Sequence, residues 1–160
     1  MAEVFVGIGS SINRSENVQL GVAALQALFS DVQISPVYES EAVGFSGANF
    51  YNLVAKFTTN LAIVDVIKQL KKIELANGRP EFAIKFAPRT IDLDLLLYDQ
   101  EIAPEFDLPR AEITKNAFVL KPLADLAPRL TDPLSGETYQ NLWAKYPKEK
   151  QNLWKIEAGL

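Results

Sequence analysis

The chain has no cysteine and no histidine among its 160 residues, and both absences restrict its chemistry. Without cysteine it can form no disulfide, no thiolate nucleophile and no Cys-ligated metal site. Without histidine it lacks a Ser-His-Asp triad, His-ligated zinc and the usual general base near neutral pH. Its chemistry must therefore come from carboxylates, Lys, Arg, Tyr and a metal ion on oxygen ligands.

Positive charge and long apolar runs are also scarce. The 16 Lys and Arg against 20 Asp and Glu give a net charge of −4, which argues against the basic face that nucleic-acid binding needs. No apolar stretch approaches the roughly 20 residues that span a bilayer, and residues 1–6 lack the features of a signal peptide. We expect a cytosolic protein without nucleic-acid or membrane partners, and its length predicts one domain over residues 1–160.

Apolar periodicity predicts alternating strands and helices. The spacing of apolar residues changes between two and about 3.6 along the chain, as it does in strands and helices. The predicted order β-α-β-β-α-β is that of an α+β, ferredoxin-like core, followed by a C-terminal extension of short helices and strands. In chain order, the predicted elements are a strand at 4–8, a helix at 15–29, strands at 32–38 and 50–58, a helix at 63–73, a strand at 91–98 and a helix near 138–145.

Two aspartates in the last core strand are the most informative residues. Apolar residues at 91, 93, 95 and 97 alternate with Asp92 and Asp94, so both carboxylates leave the opposite face, roughly 6–7 Å apart. Such a pair can share one Mg²⁺ or hold two, and Mg²⁺ prefers carboxylates together with substrate phosphates. Arg89 adds a planar cation suited to phosphate oxygens. The alternative is a solvated acidic pair on an edge strand.

A glycine-based phosphate loop is not expected. The segment Gly7-Ile-Gly9-Ser-Ser lacks the Gly-Lys-Ser/Thr ending of a Walker loop and is not a full GxGxxG fingerprint. The usual nucleotide-binding folds are therefore not indicated.

The segment 87–96, Ala-Pro-Arg-Thr-Ile-Asp-Leu-Asp-Leu-Leu, closely resembles the diagnostic segment of the 6-hydroxymethyl-7,8-dihydropterin pyrophosphokinase family. Similar landmarks follow the family's order over nearly the whole chain. The matching positions of the segment are Lys85, Ala87, Pro88, Arg89, Asp92 and Asp94. The other landmarks are Ile8-Gly9-Ser10, Tyr38 with the loop to Gly44, Phe50-Tyr-Asn52, Ile73-Glu74 with Gly78-Arg79, Pro109, Phe118-Val-Leu and 122–128.

This resemblance implies a site for ATP and metal. Asp92 and Asp94 would hold two Mg²⁺ ions that bridge the ATP phosphates and the attacking oxygen. Arg79 and Arg89 would contact the phosphates and share the catalytic role with the two aspartates. The implied ATP-binding residues are Lys71, Glu74, Arg79, Lys85, Arg89, Leu95 and Arg110. For the arginines and Glu74 the alternative is a surface position without a ligand, since isolated arginines are usually surface charges and a Glu near a helix end is usually solvated.

The resemblance also implies a pterin pocket. Phe50 and Phe118 would stack on the two faces of the flat pterin, and the amide of Asn52 would both donate to and accept from its edge. For the two rings the alternative is core packing, and for Asn52 it is a solvated strand residue. The implied pterin-binding residues are Ser40, Val43, Gly44, Phe50, Asn52 and Phe118.

Several positions depart from the family's pattern. Arg110 stands where many members carry a histidine, and it supplies a permanent charge that cannot donate a proton at neutral pH. Asn116 occupies a position that is often Arg, Glu81 stands where a loop Arg is common, and Phe86 replaces a frequent Trp. The metal and pterin positions are retained better than the triphosphate positions, so the departures bear on catalytic efficiency more than on pterin binding.

The resemblance predicts a monomeric transferase with ATP and a pterin as its small-molecule partners. It would move diphosphate from ATP onto the hydroxymethyl group of 6-hydroxymethyl-7,8-dihydropterin and release AMP, a step of folate biosynthesis. One alternative is a paralogue that binds pterin with weak or no turnover. Another is a structural partner module, although such a module would not need the Pro-Arg-x-x-Asp-x-Asp segment.

Overall fold

A computed structural model describes residues 1–41, 49–76, 91–157 and 159–160, with the backbone alone at Lys150. In these residues the fold is built from strands and helices that alternate along the first part of the chain. The strands are β1 (Ala2–Ser10), β2 (Ser30–Ile34), β3 (Val37–Ser40), β4 (Phe50–Thr59), β5 (Asp92–Tyr98) and β6 (Leu153–Ile156). The helices are α1 (Arg14–Leu28), α2 (Ile63–Ala76), α3 (Ala117–Leu126) and α4 (Tyr139–Lys145).

The strands form one sheet in the order β5-β1-β4-β3-β6, and β2 also pairs with β4. All of the pairs are antiparallel. Helix α1 follows β1 and helix α2 follows β4, so the element order agrees with the predicted β-α-β-β-α-β core. The α+β class and the C-terminal extension of short helices and a strand are confirmed.

The single strand predicted over 32–38 is wrong, because two strands, β2 and β3, occupy this region. Pro36 lies between them, and proline has no N–H to donate to a ladder. Ser35 holds the interruption against β4, since its N–H donates to the Val54 carbonyl at 2.9 Å and its hydroxyl accepts from the Val54 N–H at 2.9 Å. The chain therefore stays beside β4 although the ladder is broken.

The first face of the sheet is covered by α1 and α2. Each helix presents an apolar stripe, and the two stripes meet alternate strand residues in one buried cluster. Burial of this apolar surface is the main source of stability for the fold. The cluster includes Val18, Val22 and Leu25 of α1, Val66, Leu70 and Ile73 of α2, and Val4, Val6, Ile8, Leu53, Ala55, Phe57, Leu93 and Leu95 of the sheet.

The second face of the sheet is covered in part by the C-terminal extension. Phe5 and Val54 pack there against α3 and α4 in a separate buried cluster. Leu120 and Leu123 of α3 and Tyr139 of α4 are its largest fully buried helical side chains. Because these helices cover only part of the second face, polar residues of β4 and β5 are accommodated there.

A bulge in β5 changes which face its last leucines reach. Val6 pairs with Leu95 but Phe5 pairs with Leu97, so Leu96 is an extra residue in the ladder. The prediction that Leu95 and Leu97 share a face is wrong, since Leu95 lies in the first cluster and Leu97 in the second. The alternation holds over 91–95, and this part carries both aspartates.

Candidate active site

Asp92 and Asp94 lie on the second face of the sheet, near its β5 edge. Leu93 and Leu95 point into the first cluster, so the two aspartates leave the other side as predicted, and both are partly exposed. In the ladder Asp92 pairs with Gly9 and Asp94 with Gly7. The two carboxylates therefore stand beside a strip of β1 that carries no side chains.

Gly9 separates the aspartates from an amide on β4. A Cβ atom at Gly9 would lie 2.9 Å from Asn52 Oδ1, too close for any other residue without movement of the Asn52 side chain. Gly9 pairs with Asn52 on one side and with Asp92 on the other. In the sequence these two glycines do not complete a Walker loop, and Gly9 also belongs to the Ile8-Gly9-Ser10 landmark. Two glycines at positions i and i+2 of a strand indicate that another group approaches the backbone closely on that face. This signal was present in the sequence.

The electrostatics of the pair favour a bound cation. Partial burial and the neighbouring carboxylate of Asp92 raise the pKa of Asp94 to about 8. Glu112 adds a further negative charge, whereas the guanidinium of Arg110 opposes the shift. The charged form of Asp94 is thus poorly stabilised by the protein alone, and a cation beside it would relieve this. Glu112 was not singled out from the sequence, since it lies 18 positions from Asp94.

Arg110 reaches the aspartates from the segment before α3. Its Nη2 atom lies 3.5 Å from Asp94 Oδ1 and 3.8 Å from Glu112 Oε2, and its Nη1 atom lies 3.9 Å from Asp107 Oδ2. Its backbone N–H donates to the carbonyl of Leu96 at 3.0 Å, which anchors this segment at the β5 bulge. Within the described residues, the buried Nε of Arg110 has no hydrogen-bond partner. The structure therefore brings Arg110 together with Asp94.

Three further ATP-binding residues of the prediction, Lys71, Glu74 and Leu95, lie on α2 or on β5, the edge strand against which α2 packs. Glu74 of α2 is buried, and its Oε2 atom accepts a hydrogen bond from the Leu93 N–H at 2.7 Å. This carboxylate satisfies a donor of an edge strand. Leu95 is buried in the first cluster, so only its backbone is available to a nucleotide. Lys71 is exposed on α2.

The predicted pterin residues of β3 and β4 are neighbours. Ser40 pairs with Phe50 in the ladder, and Asn52 Nδ2 donates to Ser40 Oγ at 3.1 Å. Asn52 is buried, so the alternative of a solvated strand residue is wrong. Phe50 and Phe118 are both partly exposed, and Phe118 packs against the edge of the second cluster. The two rings are therefore not fully buried core residues.

Five predicted site residues, Val43, Gly44, Arg79, Lys85 and Arg89, lie outside the described residues. Across the described ranges, no group of three or more His, Cys, Asp or Glu side chains is arranged to hold a metal ion. Nor does any helix there have the length and apolar character to cross a membrane. Among the described residues, the aspartate pair with Arg110 is therefore the candidate site for metal and phosphate.

An antiparallel α+β fold with paired carboxylates and a guanidinium on one sheet face defines a candidate phosphoryl-transfer protein. The model of the 7,8-dihydro-6-hydroxymethylpterin-pyrophosphokinase (HPPK) family matches residues 5–128, and the chain belongs to this family.

Two similar proteins carry the name of this pyrophosphokinase. The chain is 38% identical over 152 residues to the 2-amino-4-hydroxy-6-hydroxymethyldihydropteridine pyrophosphokinase of Pseudomonas aeruginosa, covering 91% of this chain and 93% of the relative. It is 34% identical over 138 residues to the protein of the same name from Aquifex aeolicus, covering 84% and 86% of the two chains. The fold is similar to that of Plasmodium falciparum HPPK-DHPS with pteroate, at a TM-score of 0.73 and 12% identity. That match covers 91% of this chain and 44% of the longer Plasmodium chain.

Proposed function

We propose that this chain transfers diphosphate from ATP to the hydroxymethyl group of 6-hydroxymethyl-7,8-dihydropterin, giving the pterin diphosphate and AMP in folate biosynthesis. Membership of the family supports the reaction. The observation that carries it is the placement of Asp92, Asp94 and Arg110 beside the Ser40–Asn52 pair on one face of the sheet. Anionic and heterocyclic substrates would thus meet over the glycine strip of β1.

Mg²⁺ fits the donor set of this site, and we propose that two ions bind at Asp92 and Asp94. Both residues offer hard carboxylate oxygens, and burial together with the neighbouring carboxylate of Asp92 raises the pKa of Asp94, so a bound cation would stabilise its charged form. When bound, the ions would neutralise phosphate charge and orient the triphosphate for in-line displacement. The protein contributes the fixed positions of the two carboxylates on one rigid strand.

Arg110 would exchange partners when ATP binds. Its guanidinium is held near three carboxylates, at 3.5–3.9 Å, distances that are long for strong charge-assisted hydrogen bonds. A phosphate group offers bidentate acceptors that suit this planar cation better. Among the remaining candidates, Arg79, Lys85 and Arg89 would add phosphate contacts, with Arg79 and Arg89 in catalytic roles. Lys71, Glu74 and the backbone of Leu95 would border the nucleotide at the β5 edge.

The pterin would lie between Phe50 and Phe118, with its edge on Asn52. The side chain of Asn52 is held by Ser40 at 3.1 Å, which fixes the amide before the ligand arrives. Stacking between two partly exposed rings would bury apolar area on both sides of a flat heterocycle. Val43 and Gly44 would complete this pocket. Monomeric state, a single domain and a cytosolic location stay predictions.

Product analysis tests the proposal against a pterin-binding paralogue without turnover. The protein is incubated with Mg²⁺, ATP and 6-hydroxymethyl-7,8-dihydropterin, and the nucleotide and pterin products are separated and quantified. We expect equal amounts of AMP and pterin diphosphate. Pterin binding without AMP formation would support the paralogue instead, and formation of ADP would contradict diphosphate transfer.

A further inference from the structure

We propose that Gln151 is a positioning residue for the pterin pocket. Its side-chain amide holds the start of α3, and with it Phe118, at a fixed place relative to the strands that carry Ser40 and Asn52. The inference rests on the proposed assignment of Phe118 to the pterin pocket.

Both polar atoms of the Gln151 side chain bind the residues that precede Phe118. Gln151 Oε1 accepts a hydrogen bond from the Ala117 N–H at 2.8 Å, and Gln151 Nε2 donates to Asn116 Oδ1 at 2.8 Å. The first N–H groups of a helix have no partner within the helix and need one from elsewhere. Asn116, at the cap position of α3, makes no side-chain cap hydrogen bond. The cap is supplied instead by a residue 34 positions further along the chain.

The same segment is attached to the other side of the pocket. Two residues after Gln151, Leu153 begins β6 and pairs with Ser40 on β3. Ser40 in turn accepts the hydrogen bond from Asn52 at 3.1 Å. A short series of contacts therefore runs from Phe118 through Gln151 to the residues proposed to hold the pterin edge.

A second contact ties the far end of α3 to β3. The Tyr38 hydroxyl donates to the carboxylate of Asp125, which also accepts from Lys121 Nζ at 2.8 Å. Asp125 lies near the end of α3, whereas Phe118 lies at its start.

Without Gln151, the start of α3 would still pack in the second cluster, and the Tyr146 hydroxyl would still donate to the Lys115 carbonyl at 2.8 Å. The displacement would therefore be small, and largest at the partly exposed ring of Phe118. Two stacked rings tolerate little change in their separation, so pterin affinity should respond before other properties do.

The test replaces Gln151 by methionine, which keeps the length of the side chain and removes both hydrogen bonds. We expect the pterin Kd of Q151M to rise by about three- to tenfold, the ratio that corresponds to one or two ordinary hydrogen bonds. The apparent KM for ATP should change less than about twofold, since the helix start faces the pterin side. Equal changes for the two substrates would overturn the inference, because they would indicate a general structural defect.

Two further variants serve as controls. Gln100 also bridges distant segments, since its Nε2 donates to the Thr131 carbonyl at 3.2 Å, but neither residue borders the proposed pocket. Q100M should leave pterin Kd unchanged. Q151E should retain most of the pterin affinity, because the amide of Asn116 can turn and donate to the second carboxylate oxygen. A Q151E variant as weak as Q151M would contradict the proposed geometry.

A double-mutant cycle with Phe118 decides whether Gln151 acts through that ring. In the F118A background, Q151M should have no further effect on pterin Kd, because the ring that it positions is gone. An undiminished effect in that background would overturn the inference and leave the pocket assignment intact. If F118A alone leaves pterin Kd unchanged, the pocket assignment fails, and the inference fails with it. Should Q151M not fold, N116A removes one of the two hydrogen bonds and enters the same cycle, with the same outcomes.

Discussion

The two faces of the sheet are built by the same strands, yet they differ in character. On the first face α1 and α2 bury an apolar cluster, to which β5 contributes Leu93 and Leu95. On the second face the same stretch of β5 presents Asp92 and Asp94, partly exposed beside Arg110. Because side chains of a strand alternate, one short segment serves both the core and the site. Stability and function should therefore respond separately to substitutions on the two faces.

The largest effect should follow from loss of one carboxylate on the second face. Asp92→Asn and Asp94→Asn should each lower kcat by more than about 100-fold, because each removes an anion proposed to bind Mg²⁺. Steady-state AMP release at saturating Mg²⁺ measures this. Asp94→Asn should also make the metal-free protein more stable by about 0.5–2 kcal/mol at neutral pH, since an amide, unlike the Asp94 carboxyl group, need not take up a proton on folding.

Asp65→Asn is the matched control, since Asp65 lies on the exposed side of α2. It should leave kcat unchanged. Normal turnover in either Asp92→Asn or Asp94→Asn would remove the proposed metal site from the second face.

A core substitution on the first face should have the opposite pattern. Leu25 is fully buried in α1, and Leu25→Ala should lower the free energy of unfolding by about 2–5 kcal/mol. Pterin Kd, corrected for the folded fraction, should stay the same. Leu20→Ala on the same helix is the control, because Leu20 is 52% exposed and its loss should cost little. Urea unfolding and pterin titration on the same samples measure both quantities. A pterin Kd that changes with Leu25→Ala would show that the two faces do not respond separately.

A smaller and more local effect is expected at the glycine strip between the two halves of the site. Gly9→Ala should weaken pterin binding about tenfold, since the added Cβ would lie 2.9 Å from Asn52 Oδ1 and must displace that amide. Gly7→Ala is a close control, because its Cβ would meet Leu96 Cδ2 at an ordinary 3.5 Å. Fluorescence titration with the pterin compares the two. Equal effects of both substitutions would indicate that Asn52 does not hold the pterin edge.

The most gradual expected effect is a pH dependence of stability without metal. The raised pKa of Asp94, about 8, means that the folded chain binds more protons than the unfolded chain between about pH 4 and pH 8. The free energy of unfolding should therefore fall as pH rises through this window, by roughly 0.5 kcal/mol per pH unit after allowance for partial exposure. The measurement is the difference between wild type and Asp94→Asn in urea unfolding. If the unfolding free energies of wild type and Asp94→Asn change with pH in parallel, the pKa of Asp94 is not raised by folding.

The sequence predicted the features that depend on local periodicity. Asp92 and Asp94 alternate with buried leucines, so their common face follows from the strand period alone. The turn of Leu97 to the other face could not be predicted in this way, because the bulge is defined by the pairing of β5 with β1. The division at Pro36 did have a local signal, since proline interrupts a ladder.

Local sequence patterns could not predict contacts between distant parts of the chain. Glu112 reaches the aspartates only because the segment before α3 is anchored at the β5 bulge. Asn116 was noted as a departure from the family, and its contact with Gln151 spans 35 positions. Neither contact has a periodic signature, so each required the tertiary structure.

Paramagnetic relaxation by Mn²⁺ tests most directly whether the second face holds the metal and the nucleotide. Mn²⁺ is added in small amounts to the protein with a non-hydrolysable ATP analogue, and broadening of backbone amide resonances is measured by NMR. We expect the strongest broadening at Gly7, Gly9 and Asp92–Asp94, and much weaker broadening in α1, which packs on the other side of the sheet. Asp94→Asn should reduce the broadening of all of these amide resonances. Broadening centred on α1, or broadening that is unchanged in Asp94→Asn, would contradict the account.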